Sequence, residues 1–180
     1  MAHETYYGVT AYYWGDVEPT ASSTFTSVLS TQTMTTTKTV NSEGTYWLGC
    51  KDAAGNFDKK SITIRKYQVQ NVLEKIAGAT GTYNSTNYAT EGSTSTYYVK
   101  DGTTLTLSSI YGAPTAGNQS GKFKGYTTSA PGSSTVTPST TNPTVATNNT
   151  TTYYMWFNRN TYTATITKNA NGSIKAETVQ

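Results

Sequence analysis

The chain has 180 residues, a formal net charge of +3, one histidine and one cysteine; 13% of its residues are charged and 12% aromatic, with 15 Tyr and 3 Trp. So small a charge over this length is not the concentrated basic patch of a nucleic-acid binder, and one cysteine, Cys50, closes no internal disulfide. No stretch reaches the roughly 20 apolar residues that a membrane helix needs.

Leu, Ile, Val and Phe make up only 25 of the 180 residues, below the level of roughly 20% that signals disorder when net charge is also high. The charge condition fails here. Tyr, Trp and Thr suit pleated, half-buried surfaces, so they supply the sheet core that aliphatics do not. The expectation is a mostly all-β protein with a thin, aromatic core and one or two small domains.

In chain order, Met1-Ala2-His3-Glu4 has no basic region leading into an apolar run, so no signal peptide is visible. The expectation is a piece of a longer exported protein. Thr5 to Trp14 is an aromatic strand closed by Gly15-Asp16 and Pro19, and Ser23–Ser30 and Thr35–Val40 are further short strands. Gly44 to Cys50 and Ser61 to Arg65 are two strands around the turn Lys51-Asp52-Ala53-Ala54-Gly55-Asn56, a β-hairpin signature. Cys50 alternates beside Trp47 and Leu48 as a small buried hydrophobe.

In Lys66 to Ile76, Val69, Val72, Leu73 and Ile76 fit a helical face, while Tyr67, Val69 and Asn71 alternate as a strand. No capping residue opens a helix there, which tips the reading towards strand. Ser95–Lys100 and Thr103–Leu107 read as a hairpin about Asp101-Gly102, and Lys122–Thr128 as a strand whose aromatics, Phe123 and Tyr126, are three apart. Gly132–Thr152 is a Ser/Thr/Pro/Asn tract read as a long exposed connection. The aromatic strand Thr152–Asn158 follows, and Arg159–Gln180 is a terminal strand and turn, or the start of a further repeat.

The strand ending in Lys51-Asp52-Ala53-Ala54-Gly55-Asn56, followed by the alternating Ser61-Ile62-Thr63-Ile64-Arg65, resembles the last hairpin of bacterial immunoglobulin-like domains. The order Lys122-Phe123-Lys124-Gly125-Tyr126, polar loop, Thr152-Tyr153-Tyr154-Met155-Trp156-Phe157 resembles the β-grasp-like repeat of internalins and gut-bacterial surface proteins, with Tyr126 where that repeat usually has Trp. Together these imply an immunoglobulin-like β-sandwich over 1–66, a β-grasp-like surface repeat over 67–158, and a terminal piece over 159–180. They also imply an extracellular or cell-surface location as part of a longer exported protein.

Chemistry-bearing motifs are sparse. The only histidine is His3, beside the terminus, so no triad base is in view, and the ten carboxylates are scattered, with Asp16, Glu18, Asp52 and Asp58 in turns that Asx hydrogen bonds explain. The expectation is no enzyme, no cofactor and no metal, with Asp52, Asn56 and Asp58 as a weak calcium candidate on one loop, since oxygen ligands so spaced suit that ion. Lys59, Lys60, Arg65 and Lys66 form a modest basic cluster, read as guarding a strand edge rather than gripping nucleic acid. Aromatic groups at Tyr6, Tyr7, Tyr12, Tyr13 and Trp14, and at Tyr153, Tyr154, Trp156 and Phe157, offer flat platforms, and Trp14, Tyr153 and Trp156 are the candidate ligand contacts.

The function expected is a non-catalytic stalk, spacer or adhesion segment of a bacterial surface or secreted protein. Its partners are neighbouring modules of the same polypeptide and a host or bacterial surface protein or glycan, with no nucleic acid and no membrane insertion. A phage virion protein, decorating capsid or tail, and a carbohydrate-binding module using exposed aromatic strands are the alternatives.

Overall fold

The computed structural model describes residues 8–28, 38–76, 81–110, 115–116, 119–146, 150–159, 166–168, 171–172 and 174–176. His3, Tyr6, Tyr7 and part of the strand expected over Thr35–Val40 lie outside them; the described part of that stretch, 38–40, is not strand.

The protein is mostly β. Its strands are β1 (Val9–Gly15), β2 (Thr26–Ser27), β3 (Gly44–Asp52), β4 (Phe57–Glu74), β5 (Tyr88–Lys100), β6 (Thr103–Thr104), β7 (Thr115–Ala116), β8 (Gln119–Ser120), β9 (Lys122–Thr127), β10 (Thr144–Val145), β11 (Thr151–Asn158), β12 (Ile166–Lys168) and β13 (Ile174–Ala176). Among the described residues the one α-helix is the single turn α1 (Leu107–Ile110). The chain forms two compact units, one of Met1–Tyr67, Thr96–Leu105 and Pro143–Thr151, the other of Gln68–Ser95, Thr106–Asn142 and Thr152–Gln180. The ambiguous segment from Lys66 is strand as far as Glu74: pairing with β11 and β5 and burial on both faces outweigh a helical pattern that no cap starts.

In the first unit β2, β1, β3 and β4 follow one another as antiparallel neighbours. Cross-strand partners share a face, so Tyr13, Gly49 and Lys59 stand together. The bare Gly49 leaves room for Pro19, Phe25 and Phe57, each within 3.4 Å of where a Cβ would stand. Phe25 meets Phe57 edge-on at 5.8 Å. The hairpin expected at Asp101-Gly102 does not form. Asp101 instead takes an ion pair from Arg65 at 2.6 Å, its N–H donates to Thr63, and Gly102 N–H donates to Val145, so β6 pairs with β10.

The second unit is built on β4, β11 and β9. Strand β11 is buried on both faces: Tyr153, Met155 and Phe157 on one, Trp156 on the other. Phe123 and Tyr126, three apart, would point to opposite sides of a regular strand. A bulge opposite Trp156 and Phe157 adds one residue, Lys124, and turns both aromatics to the same side. Phe123 then meets Phe157 at 5.5 Å and Tyr126 meets Tyr153 at 5.3 Å, both edge-on.

The polar tract after Gly132 is not a free connection. Val136 bridges to Tyr83 and Ser139 to Tyr126, while Pro138 and Val145 are buried. Backbone pairing satisfies the amides of Val136 and Ser139, which the tract's Ser/Thr composition alone could not show.

Glu74, 1% exposed at the end of β4, accepts from the Arg159 N–H at 3.1 Å through Oε2, and its own carbonyl accepts from Arg159 Nε. Oε1 is buried without a hydrogen-bond partner among the described residues, so Oε2 alone makes the pairing that a buried carboxylate needs. Glu74→Ala removes this acceptor and costs about 1–3 kcal/mol, whereas Glu74→Gln, which keeps an acceptor, costs clearly less; urea unfolding of the three proteins compares them.

Candidate functional site

Strands place alternate residues on one face, so Gln70 and Val72 of β4 share a face, as do Tyr154 and Trp156 of β11. Val72, Trp156 and Tyr88 form a fully buried cluster, with Tyr83, Val136 and Tyr154 packed against it. Tyr88 stacks on Tyr83 at 5.1 Å and meets Trp156 edge-on at 5.1 Å. The Trp156 indole donates to Thr127 Oγ1 at 3.1 Å, and the Tyr88 hydroxyl to Asn158 Oδ1 at 2.9 Å.

Beside this cluster the second unit carries an open groove of about 470 Å³, within the range of ligand sites. Tyr154 and Tyr88 line it together with Pro131, Ala130 and Ala89, and Gln70, Thr90, Thr94, Ser85 and Lys75 add the polar groups. The Gln70 amide, 7% exposed, donates to the carbonyls of Glu91 at 2.9 Å and Gly92 at 3.1 Å. Its Oε1 accepts from Thr94 Oγ1 at 2.7 Å. The Lys75 ammonium donates to the Ser85 carbonyl. None of the lining side chains is a carboxylate.

Burial raises the Tyr88 phenol well above its usual range, reinforced by Tyr83 and Glu74, and burial likewise raises that of Tyr153. A phenol held neutral by the fold contributes stability that is complete below its unfolded pKa of 10.0 and is lost as pH rises from there towards the higher folded value. Stability therefore falls as pH rises above 10, and Tyr88→Phe makes that fall shallower. Unfolding midpoints across this range provide the check.

The sequence-level candidates fall differently. Tyr153 is 4% exposed and Trp156 fully buried; both belong to the core and neither is a surface contact. Trp14 is half-buried and stacks on Tyr46 at 6.1 Å with rings 8° from parallel.

Asp52 spends its oxygens on the turn. Oδ1 accepts the N–H groups of Ala54 and Asn56 at 2.9 and 2.8 Å, and Oδ2 accepts the Asn56 amide at 2.6 Å. The Asn56 side chain thereby holds the Asp52 carboxyl below its usual range. Asp58 accepts the Lys59 N–H. Asp52, Asn56 and Asp58 lie in a hairpin turn whose donors the two aspartates accept; among the described residues no three acidic, His or Cys groups cluster as metal ligands.

In the basic cluster, Lys59 pairs with Glu18 at 2.8 Å and Arg65 with Asp101. Cys50 is a free, half-buried thiol rather than a fully buried one. Comparison with protein-family models, with curated proteins and with solved structures returned no match.

The groove residues had almost no sequence signal. Tyr154 stands in the aromatic run, but Gln70 and Thr94 are 24 positions apart and meet only through strand pairing.

Proposed function

We propose that this chain is a non-catalytic segment of a bacterial cell-surface or secreted protein, a stalk or adhesion module with an immunoglobulin-like part followed by a β-grasp-like one. Its partners are neighbouring modules and a surface protein or glycan of a host or bacterium. The observation that carries this reading is where the reactive side chains are spent. Asp52 closes a turn, Glu74 holds Arg159, Lys59 pairs with Glu18 and Arg65 with Asp101. The groove keeps uncharged hydroxyl, amide and aromatic groups, with Lys75 its one ionic side chain.

Acid–base catalysis needs a positioned group with a pKa near working pH, and the groove's shifted group, Tyr88, is displaced away from that range. Recognition needs instead an apolar wall and a few oriented polar groups, which the groove has. The full-length reading frame and its neighbours test the assignment. An export signal upstream with a wall anchor or more repeats downstream is the expected result; capsid or tail genes on either side would overturn it in favour of a virion protein.

A further inference from the structure

We infer that the groove of the second unit is a subsite for one or two pyranose rings of a neutral glycan, an inference that rests on the adhesion reading and names the chemistry of its ligand. A sugar ring has an apolar C–H face and a rim of hydroxyls. The groove answers both: Tyr154 and Pro131 supply an apolar wall, and Thr90, Thr94 and Ser85 line it with polar groups. An aromatic ring buries area at little entropic cost.

Thr94 donates its only hydroxyl proton to Gln70 Oε1, and both carbonyls gripping Gln70 hold that amide still. The Thr94 oxygen is left as an acceptor towards a ligand. The Tyr154 hydroxyl makes no hydrogen bond among the described residues and can give or take one. That acceptor, beside the Thr90, Ser85 and Tyr154 hydroxyls, which can each give or take a hydrogen bond, suits a ligand rimmed with hydroxyls. Lys75, whose ammonium already serves the Ser85 carbonyl, is the single group that would favour an anion.

Isothermal titration and amide chemical shifts of the intact chain, with neutral gluco-, xylo- and manno-oligosaccharides and with oligogalacturonate, test the inference. The expected result is saturable binding of at least one neutral oligosaccharide, shifting the amides of Ala89, Thr90 and Ala130. Tyr154→Ala then weakens binding by about tenfold, the loss of roughly one stacking contact. Tyr154→Phe, which keeps the ring and the packing, weakens it by only a few-fold, and a dispersed amide spectrum confirms that each variant folds. No binding across the neutral panel overturns the inference, as does binding indifferent to Tyr154→Ala. Preference for oligogalacturonate that Lys75→Met abolishes also overturns it.

Adherence of chain-coated beads to cells separates the two levels. Adherence unchanged in Tyr154→Ala sinks the glycan site and leaves adhesion standing, whereas beads that adhere to nothing, together with an empty panel, sink both.

Discussion

Trp156→Ala lowers the stability of the protein by about 3–5 kcal/mol, the range for deleting a large aromatic from a packed core. The indole is fully buried and is wedged edge-on between Tyr83 at 5.9 Å and Tyr88 at 5.1 Å. Truncation leaves a cavity that three rigid neighbours, Tyr83, Tyr88 and Val72, collapse into poorly. It also removes the donor to Thr127 Oγ1. Trp14→Ala is the internal comparison: half-buried, held by one stacking partner at 6.1 Å, it costs about 1 kcal/mol. Denaturant unfolding followed by circular dichroism distinguishes them. Equal losses from the two substitutions would contradict the assignment of Trp156 to the core.

Gly125→Ala destabilises by about 3 kcal/mol through backbone strain and collision together. Gly125 sits in the bulge of β9 at φ +130, where L side chains are disfavoured, and a Cβ there would stand 2.5 Å from the Ser139 carbonyl oxygen and 2.9 Å from Pro138 Cβ. The 138–139 segment cannot retreat cheaply. It is tied to Tyr126 by two backbone hydrogen bonds of 2.9 and 2.8 Å. Gly102 is the control, since its φ of +78 is also positive but nothing lies within 4 Å of its would-be Cβ. Gly102→Ala therefore costs only the conformational part, about 1 kcal/mol. Equal thermal shifts in the two variants would show that the close approach at Gly125 is unimportant.

Local chemistry made some of this fold readable in advance. The turn from Asp52 to Asn56 was legible because one carboxylate satisfies its donors within five residues. β9 and β11 were legible as aromatic strands, but not the bulge that turns Phe123 and Tyr126 to one side, since that depends on register with Trp156 and Phe157. Asp101-Gly102 carries good hairpin residues, yet Arg65, 36 positions earlier, claims the aspartate. Alternation along β11 suggested one exposed face. Tyr83, Tyr88 and Val136, all distant in sequence, cover Trp156 and leave only Tyr154 beside open space. The groove stayed hidden for the same reason: residues from β4, β5 and β11 converge on it, and none of them announces the others.

The proposal that this chain is a surface module is tested most directly by immunogold labelling of intact cells that produce it, with antibodies raised against the purified chain. The account predicts dense label at the envelope or in its extracellular matrix without permeabilisation. Label confined to permeabilised cells, or to released phage particles, would contradict it.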